Sequence, residues 1–261
     1  MGVAIRANQG DWGGAQLSDI EAVARSAADS FDAFDNDEAI AITLEPTASE
    51  DDPPRTLQGT ESGRSVVQLN VRGNLWARLA YQFGHEYCHV LADPMTYWTD
   101  GERRFAWIEE ALCETASLFA LRSMAKEWAV NPPFPSWREY SFSLAKYEAE
   151  HVSDPIRSLP PKARFSDWLN HRLPLLEADP YRRDDNTIIA KELLRVFETD
   201  HAPWRAVRHL HSAPQSSEGS LAGFMSDWAR AASSADGGQV VGSIVELIGV
   251  GTGREGTTFD S

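Results

Sequence analysis

The sequence of 261 residues has little cysteine and comparatively little positive charge, and each shortage excludes a class of protein. Two cysteines, Cys88 and Cys113, are too few for a disulfide framework or for a zinc site built from thiolates. The 24 Lys and Arg residues against 39 Asp and Glu residues give a net charge of −15. This charge argues against nucleic-acid binding and against docking on anionic membranes, because both partners favour basic surfaces.

Long apolar runs are also missing. No stretch reaches the roughly 20 apolar residues of a transmembrane helix, and the first residues, "MGVAIRANQGDW", lack the apolar segment of a secretory signal. We therefore expect a cytoplasmic protein. An excised domain, or a protein exported without a cleavable signal, would show the same pattern.

The remaining composition predicts a globular fold of the α+β class that is mainly α, with a small mixed β-sheet that includes an edge strand. Hydrophobic residues make up 42% of the chain. A helix is predicted in 18–34 with Ser18 as its cap, and short branched runs predict strands in 39–46 and 65–71. The polar, proline-broken stretch 47–63 between them predicts a loop.

Helical periodicity dominates from residue 74 onwards. Two helices, at about 74–92 and 102–128, are followed by a helical C-terminal half with helices near 137–151, 185–200, 202–212 and 220–233. We divide the chain into a subdomain with the sheet and these two helices (1–130), a helical C-terminal subdomain (131–249) and a flexible tail (250–261).

One short motif carries candidate chemistry. His85-Glu86-Tyr87-Cys88-His89 fits the pattern H-E-x-x-H. Because residues four apart project from the same face of a helix, both imidazoles can bind one ion. Zinc suits two imidazoles and one carboxylate with a fourth position left for water, and Glu86 can accept the proton of that water as a general base.

The following helix supplies the carboxylates. Glu110 and Glu114, in the stretch "WIEEALCE", are again four apart and face the same way. Two acidic residues on one helix face are typical of a solvated stripe. After a histidine pair, however, they indicate a third metal ligand and an outer carboxylate that hydrogen-bonds a ligand histidine.

These two motifs together resemble the gluzincin metallopeptidases, the group that includes thermolysin and the M1-type aminopeptidases. In that group H-E-x-x-H is followed by a glutamate ligand in a stretch such as N-E-G-x-A-E. The resemblance covers the two motif helices. It implies that His85, His89 and Glu110 bind zinc, that Glu86 is the general base and that Glu114 is the outer carboxylate.

Three positions depart from the family or stay open. Glu109 stands where the family has asparagine, and we prefer Glu110 as the ligand because it shares a helix face with Glu114. The strand at 65–71 fits either the sheet edge that pairs with a peptide substrate or an ordinary strand of the sheet. In M1-type aminopeptidases a glutamate on this strand grips the free amine of the substrate, and its absence from "SVVQLNVRGN" favours an endopeptidase or another specialised hydrolase.

The family also stabilises the oxyanion with a tyrosine or histidine from the C-terminal half. Each residue of that kind, taken alone, is more typical of packing or of the surface. The candidates are Tyr140, Tyr147, His151, His201, His209 and His211.

The two cysteines fall inside the two motifs, on the same side of their helices. If zinc draws these helix faces together, the sulfurs of Cys88 and Cys113 become neighbours. Three interpretations stay open: two small buried apolar side chains, a disulfide between the helices, or thiols whose oxidation perturbs the metal.

The sequence thus predicts a zinc metallopeptidase that acts on a peptide or protein substrate, with neither nucleic acid nor a membrane as a partner. The alternative is a non-catalytic or regulatory gluzincin-like zinc protein that binds a protein partner in its cleft. A helical binding module with a chance motif is the third possibility. The sequence does not predict which substrate is used.

Overall fold

The structure, a computed structural model, describes residues 3–31, 33, 40–57, 64–92, 105–199, 203–211, 220–233 and 237–249. As predicted, the fold is α+β and mainly helical, with one small mixed sheet. The elements in chain order are β1 (Ala4–Ala7), α1 (Leu17–Ala28), β2 (Ala41–Pro46), β3 (Arg55–Leu57), β4 (Ser65–Leu69), α2 (Trp76–Ala92), α3 (Ala106–Trp128), a 3-10 turn (Pro135–Trp137), α4 (Tyr140–Ser153), α5 (Phe165–Ala178), α6 (Arg183–Thr199), α7 (Trp204–Val207), α8 (Leu221–Ala232) and α9 (Gly238–Ile248).

The sheet has the strand order β1-β2-β4-β3. β1, β2 and β4 run parallel, and β3 pairs antiparallel with β4. In the central strands β2 and β4, the side chains of Ile42, Leu44, Val67 and Leu69 are completely buried. This pattern is typical of strands that are covered and contribute to the core.

Of the two roles open to 65–71, the edge strand is wrong and the ordinary strand is correct. β4 pairs with β2 on one side and with β3 on the other, so it lies inside the sheet. The edge beside the motif helices is β3, which falls in the stretch predicted to be a loop. Three residues after two prolines are too short to show the alternation that identifies a strand, and β4 supplies the hydrogen-bonding partner that forms it.

The helix that carries the histidines packs as its periodicity predicts. At 100° per residue six apolar side chains share one face of α2, and all are buried: Trp76, Leu79, Ala80, Phe83, Tyr87 and Val90. The hydroxyl of Tyr140 accepts a hydrogen bond from the Trp76 main-chain N–H at 3.1 Å and donates one to the Asn74 carbonyl at 3.2 Å. The first turn of α2 is therefore anchored by α4.

Gly84 brings α2 and α3 into close contact just before the first histidine. A Cβ atom at this position would lie 3.1 Å from the Ala116 carbonyl oxygen and 3.2 Å from the Ala120 Cβ. Contacts this short are tighter than those of an ordinary packed side chain. The distance between the two motif helices is thus set by helix packing at Gly84.

Other sequence predictions need correction. Ser18 does not cap α1, because the helix begins at Leu17 with Gln16 as the cap residue. β1, α5 and α9 were not predicted, and α7 is only four residues long. The predicted tail 250–261 lies outside the described residues.

The C-terminal helices surround α3. α4 and α6 pack directly against it, and α9 packs against α5, α6 and α8. α3 is consequently buried around most of its circumference, including the carboxylates of Glu109 and Glu114. Within the described residues, no helix combines the length and the apolar character needed to cross a membrane.

Candidate metal centre

Consecutive turns of α2 present two imidazoles side by side. The ring centroids of His85 and His89 are 5.2 Å apart. Their side chains are 23% and 20% exposed, so both are close to solvent but mostly enclosed. This arrangement follows from the four-residue spacing on a helix whose opposite face is buried.

The carboxylate of Glu110 lies between the two imidazoles. Its Oε2 is 3.4 Å from Nε2 of His85, and its Oε1 is 3.7 Å from Nε2 of His89. Ligand atoms about 2.1 Å from a tetrahedral zinc ion are about 3.4 Å from one another. The contact between Glu110 and His85 has this length, the contact to His89 is longer, and each uses a different oxygen of the Glu110 carboxylate.

Glu109 has a role that the sequence did not predict. Its Oε1 accepts a hydrogen bond from Nδ1 of His89 at 2.7 Å, and its Oε2 accepts one from Nε2 of His211 at 3.1 Å. Burial acts to raise the pKa of Glu109, but the hydrogen bonds from His211 and His89 outweigh it and hold the pKa well below its usual range. With Nδ1 bonded in this way, His89 turns its other ring nitrogen, Nε2, towards the carboxylate of Glu110.

Glu114 is buried and lies close to His85. Its Oε2 is 3.9 Å from Nδ1 of His85, which is near but beyond hydrogen-bonding distance. Its hydrogen bonds come instead from Tyr81, at 2.6 Å, and from Thr187, at 2.8 Å. Glu114 thus ties α3 to α2 and α6 directly behind His85.

The predicted base is held by the edge strand. Glu86 is 4% exposed, and its Oε2 accepts a hydrogen bond of 3.0 Å from the hydroxyl of Thr56 in β3. The same hydroxyl is 3.0 Å from the main-chain oxygen of Glu86. Since Glu86 directly follows His85, this contact brings the sheet edge to the rim of the histidine site.

The carboxylates around His85 and His89 raise the pKa values of both imidazoles. Burial alone would lower the pKa of His85, but the hydrogen bond to Glu110 and nearby negative charge raise it. For His89 the hydrogen bond to Glu109 outweighs burial and raises the pKa well above its ordinary value. A metal ion binds the neutral form of imidazole, so any metal that bound these two side chains would have to displace their protons.

The two cysteines are neighbours, as predicted, and both are free thiols. Burial raises the pKa of Cys113, and a hydrogen bond with Cys88 raises it further. One donor atom from each of His85, His89 and Cys113 lies within 4.8 Å of the other two, so these residues form a second possible ligand set. Glu110 and Cys113 are thus both placed to supply a third donor atom beside the two imidazoles.

The oxyanion candidates fall into different places. Tyr140 anchors α2, and His211 contacts Glu109. The ring of His151 stacks on the ring of Tyr81 with centroids 4.5 Å apart. The ring of Tyr147 packs edge-on against the ring of His151, with centroids 4.8 Å apart. His201 lies outside the described residues.

No family model, curated protein or solved structure matches this chain.

Proposed function

We propose that the chain is a zinc-dependent peptidase. The observation that carries the proposal is the position of Glu110, whose two carboxylate oxygens face Nε2 of His85 and Nε2 of His89. Two imidazoles and one carboxylate form the ligand set of many catalytic zinc sites, which keep a further position open. The bond from His89 to Glu109 is the outer contact expected of a metal-binding histidine.

The ligand types favour zinc over the common divalent alternatives. Magnesium and calcium prefer sites made of oxygen atoms, whereas imidazole nitrogen suits zinc and its transition-metal neighbours. His85, His89 and Glu110 would hold the zinc ion, which would supply a Lewis acid for the scissile carbonyl and a bound water of lowered pKa. Glu86 accepts the proton of that water and delivers it to the leaving amine.

The position of β3 supports an extended peptide as the substrate. In the described sheet β3 has a neighbouring strand on one side only, and its Thr56 contacts Glu86. A peptide that adds to this edge as a further strand passes beside the base, with its main chain held by strand hydrogen bonds. This geometry suits cleavage within a chain, so an endopeptidase or a specialised protease is preferred to an aminopeptidase.

The free thiols support a reducing location. Cys88 and Cys113 are in contact and unpaired, which is typical of proteins from the cytoplasm. We include a cytoplasmic location in the proposal on this ground.

The Glu86→Gln variant tests the catalytic proposal. We expect wild-type protein to bind about one zinc per chain and to cleave members of a peptide library, and Glu86→Gln to keep the zinc but lose turnover. Glu139→Gln, which changes an exposed carboxylate away from the site, is the matched control. Full activity of Glu86→Gln would show that the proposed mechanism is wrong.

The second candidate is a non-catalytic zinc protein that binds a protein partner. The closeness of Cys113 to His85 and His89 favours it, because a fourth protein ligand would close the position that a water needs. This alternative predicts bound zinc, no cleavage of any library member and no effect of Glu86→Gln on partner binding.

A further inference from the structure

We infer that His211 is a positioning residue of the proposed zinc site, acting on His89 through Glu109. The inference rests on the zinc site of the proposed function but does not need peptide cleavage. It means that the affinity for zinc depends on a residue of the C-terminal half, 102 positions away from Glu109 in sequence.

The three residues form a continuous hydrogen-bonded row. Nε2 of His211 is 3.1 Å from Oε2 of Glu109, and Oε1 of Glu109 is 2.7 Å from Nδ1 of His89. Each carboxylate oxygen thus bonds one imidazole. A carboxylate held at both oxygens cannot rotate about its last torsion without breaking a hydrogen bond, so the contact from His211 fixes the oxygen that orients His89.

Burial strengthens the two hydrogen bonds that Glu109 accepts from His211 and His89. The side chains of His211 and Glu109 are 10% and 11% exposed. Hydrogen bonds to a charged group are stronger where water is largely excluded, and an unmade one there is costly. Removing the donor at position 211 should therefore disturb Glu109 more than removing a surface contact would.

His211 is itself held in place by the core. The preceding Leu210 is 2% exposed, and Trp204 at the start of the segment is completely buried. The Trp204 ring packs against Phe31 at 4.7 Å and Phe197 at 4.4 Å. The segment 203–211 is therefore a well-anchored support that places one imidazole on Glu109.

Three variants separate positioning from packing. His211→Ala removes the donor and the volume, His211→Phe keeps the ring without the donor, and His211→Gln keeps a donor on a similar reach. We expect zinc affinity, measured by competition with a chromophoric chelator, to fall about 10-fold for His211→Ala and for His211→Phe. His211→Gln should bind zinc within about 3-fold of wild type, because it restores the bond to Glu109.

A double-mutant cycle tests whether the effect passes through Glu109. In a Glu109→Ala background, His211→Phe should change zinc affinity by less than about 2-fold, because the carboxylate that links His211 to His89 is already absent. Equal losses in both backgrounds would overturn the inference, as would wild-type affinity in His211→Phe. If His211→Ala does not fold, judged by circular dichroism, the Phe and Gln variants still decide the question.

The outcomes separate this inference from the proposed function. A wild-type protein that binds no zinc removes the zinc site and the inference with it. A protein that binds zinc but cleaves no peptide leaves the chelator experiment intact. If wild type and His211→Phe bind zinc equally well, the inference about His211 is wrong while the proposed function is unaffected.

Discussion

The hydroxyl of Thr56 lies 3.0 Å from both the Oε2 and the main-chain oxygen of Glu86. One donor on the sheet edge therefore contacts both the carboxylate and the backbone of the proposed base. This links the strand that would receive a peptide to the residue that would act on it. A change at Thr56 should alter catalysis without altering the zinc ligands.

Thr56→Val should lower kcat/KM by about 10-fold, because a hydrogen bond that orients a carboxylate is worth roughly 1.5 kcal/mol. Thr56→Ser keeps the hydroxyl and should stay within about 2-fold of wild type. Steady-state cleavage of a fluorogenic peptide, together with zinc content, measures both. Full activity of Thr56→Val, or loss of its zinc, would contradict the assignment of Thr56 to the base.

The ligand set can be tested by exchanging one candidate at a time. We expect Glu110→Ala to weaken zinc binding by more than about 100-fold, beyond what the loss of an outer carboxylate causes. Cys113→Ser should bind zinc as wild type does. Chelator competition gives the affinities. A sulfur-to-metal charge-transfer band in cobalt-substituted wild type that disappears in Cys113→Ser would instead identify Cys113 as a ligand.

The raised pKa values of His85 and His89 predict how metal-linked stability varies with pH. Without metal, the protonated imidazoles and their carboxylates stabilise the fold below the unfolded pKa of about 6.5, and this contribution is lost as pH rises through the higher folded pKa. Zinc has the opposite dependence, because protons compete with it at low pH.

The difference in Tm between zinc-loaded and chelator-treated protein should therefore grow between about pH 5.5 and pH 8. Thermal unfolding at several pH values, with and without zinc, measures this difference. A variant with both His85→Gln and His89→Gln should show no zinc-dependent difference at any pH. A wild-type difference that shrinks as pH rises would count against metal binding by these imidazoles.

The buried hydrogen bond between Tyr81 and Glu114 should contribute to stability. Tyr81→Phe leaves a carboxylate that is 3% exposed without one of its donors, which should lower the free energy of unfolding by about 1–3 kcal/mol. Tyr147→Phe is the control, because the described residues offer the Tyr147 hydroxyl no hydrogen-bond partner. Urea denaturation compares the two variants. Equal stability of Tyr81→Phe and Tyr147→Phe would mean that Glu114 does not depend on Tyr81.

The proximity of His85, His89 and Glu110 could be predicted because it depends on helical spacing. His85 and His89 are four residues apart on α2, opposite the face of this helix that is fully buried. Glu110 faces both histidines from the next helix, α3. The zinc, the peptidase activity and the role of Glu86 stay predictions that the experiments above can test.

The contacts of Glu109 could not be predicted in the same way. Its partner His211 comes from a turn in the distant C-terminal half, and nothing in the local pattern indicates that pairing. β3 was missed for a related reason, since its three residues become a strand only through pairing with β4. In both cases the deciding interaction is a long-range contact, which periodicity along the chain does not record.

The close approach of α2 and α3 at Gly84 has a consequence for metal exchange. Because the backbones of these helices are in contact next to His85, their separation is set by steric packing and not by an ion. If His85, His89 and Glu110 bind a metal, we therefore expect the ion to be removed and replaced without unfolding of the protein. Cobalt or cadmium should occupy the same ligands reversibly, and a protein treated with chelator should recover its activity on simple addition of zinc.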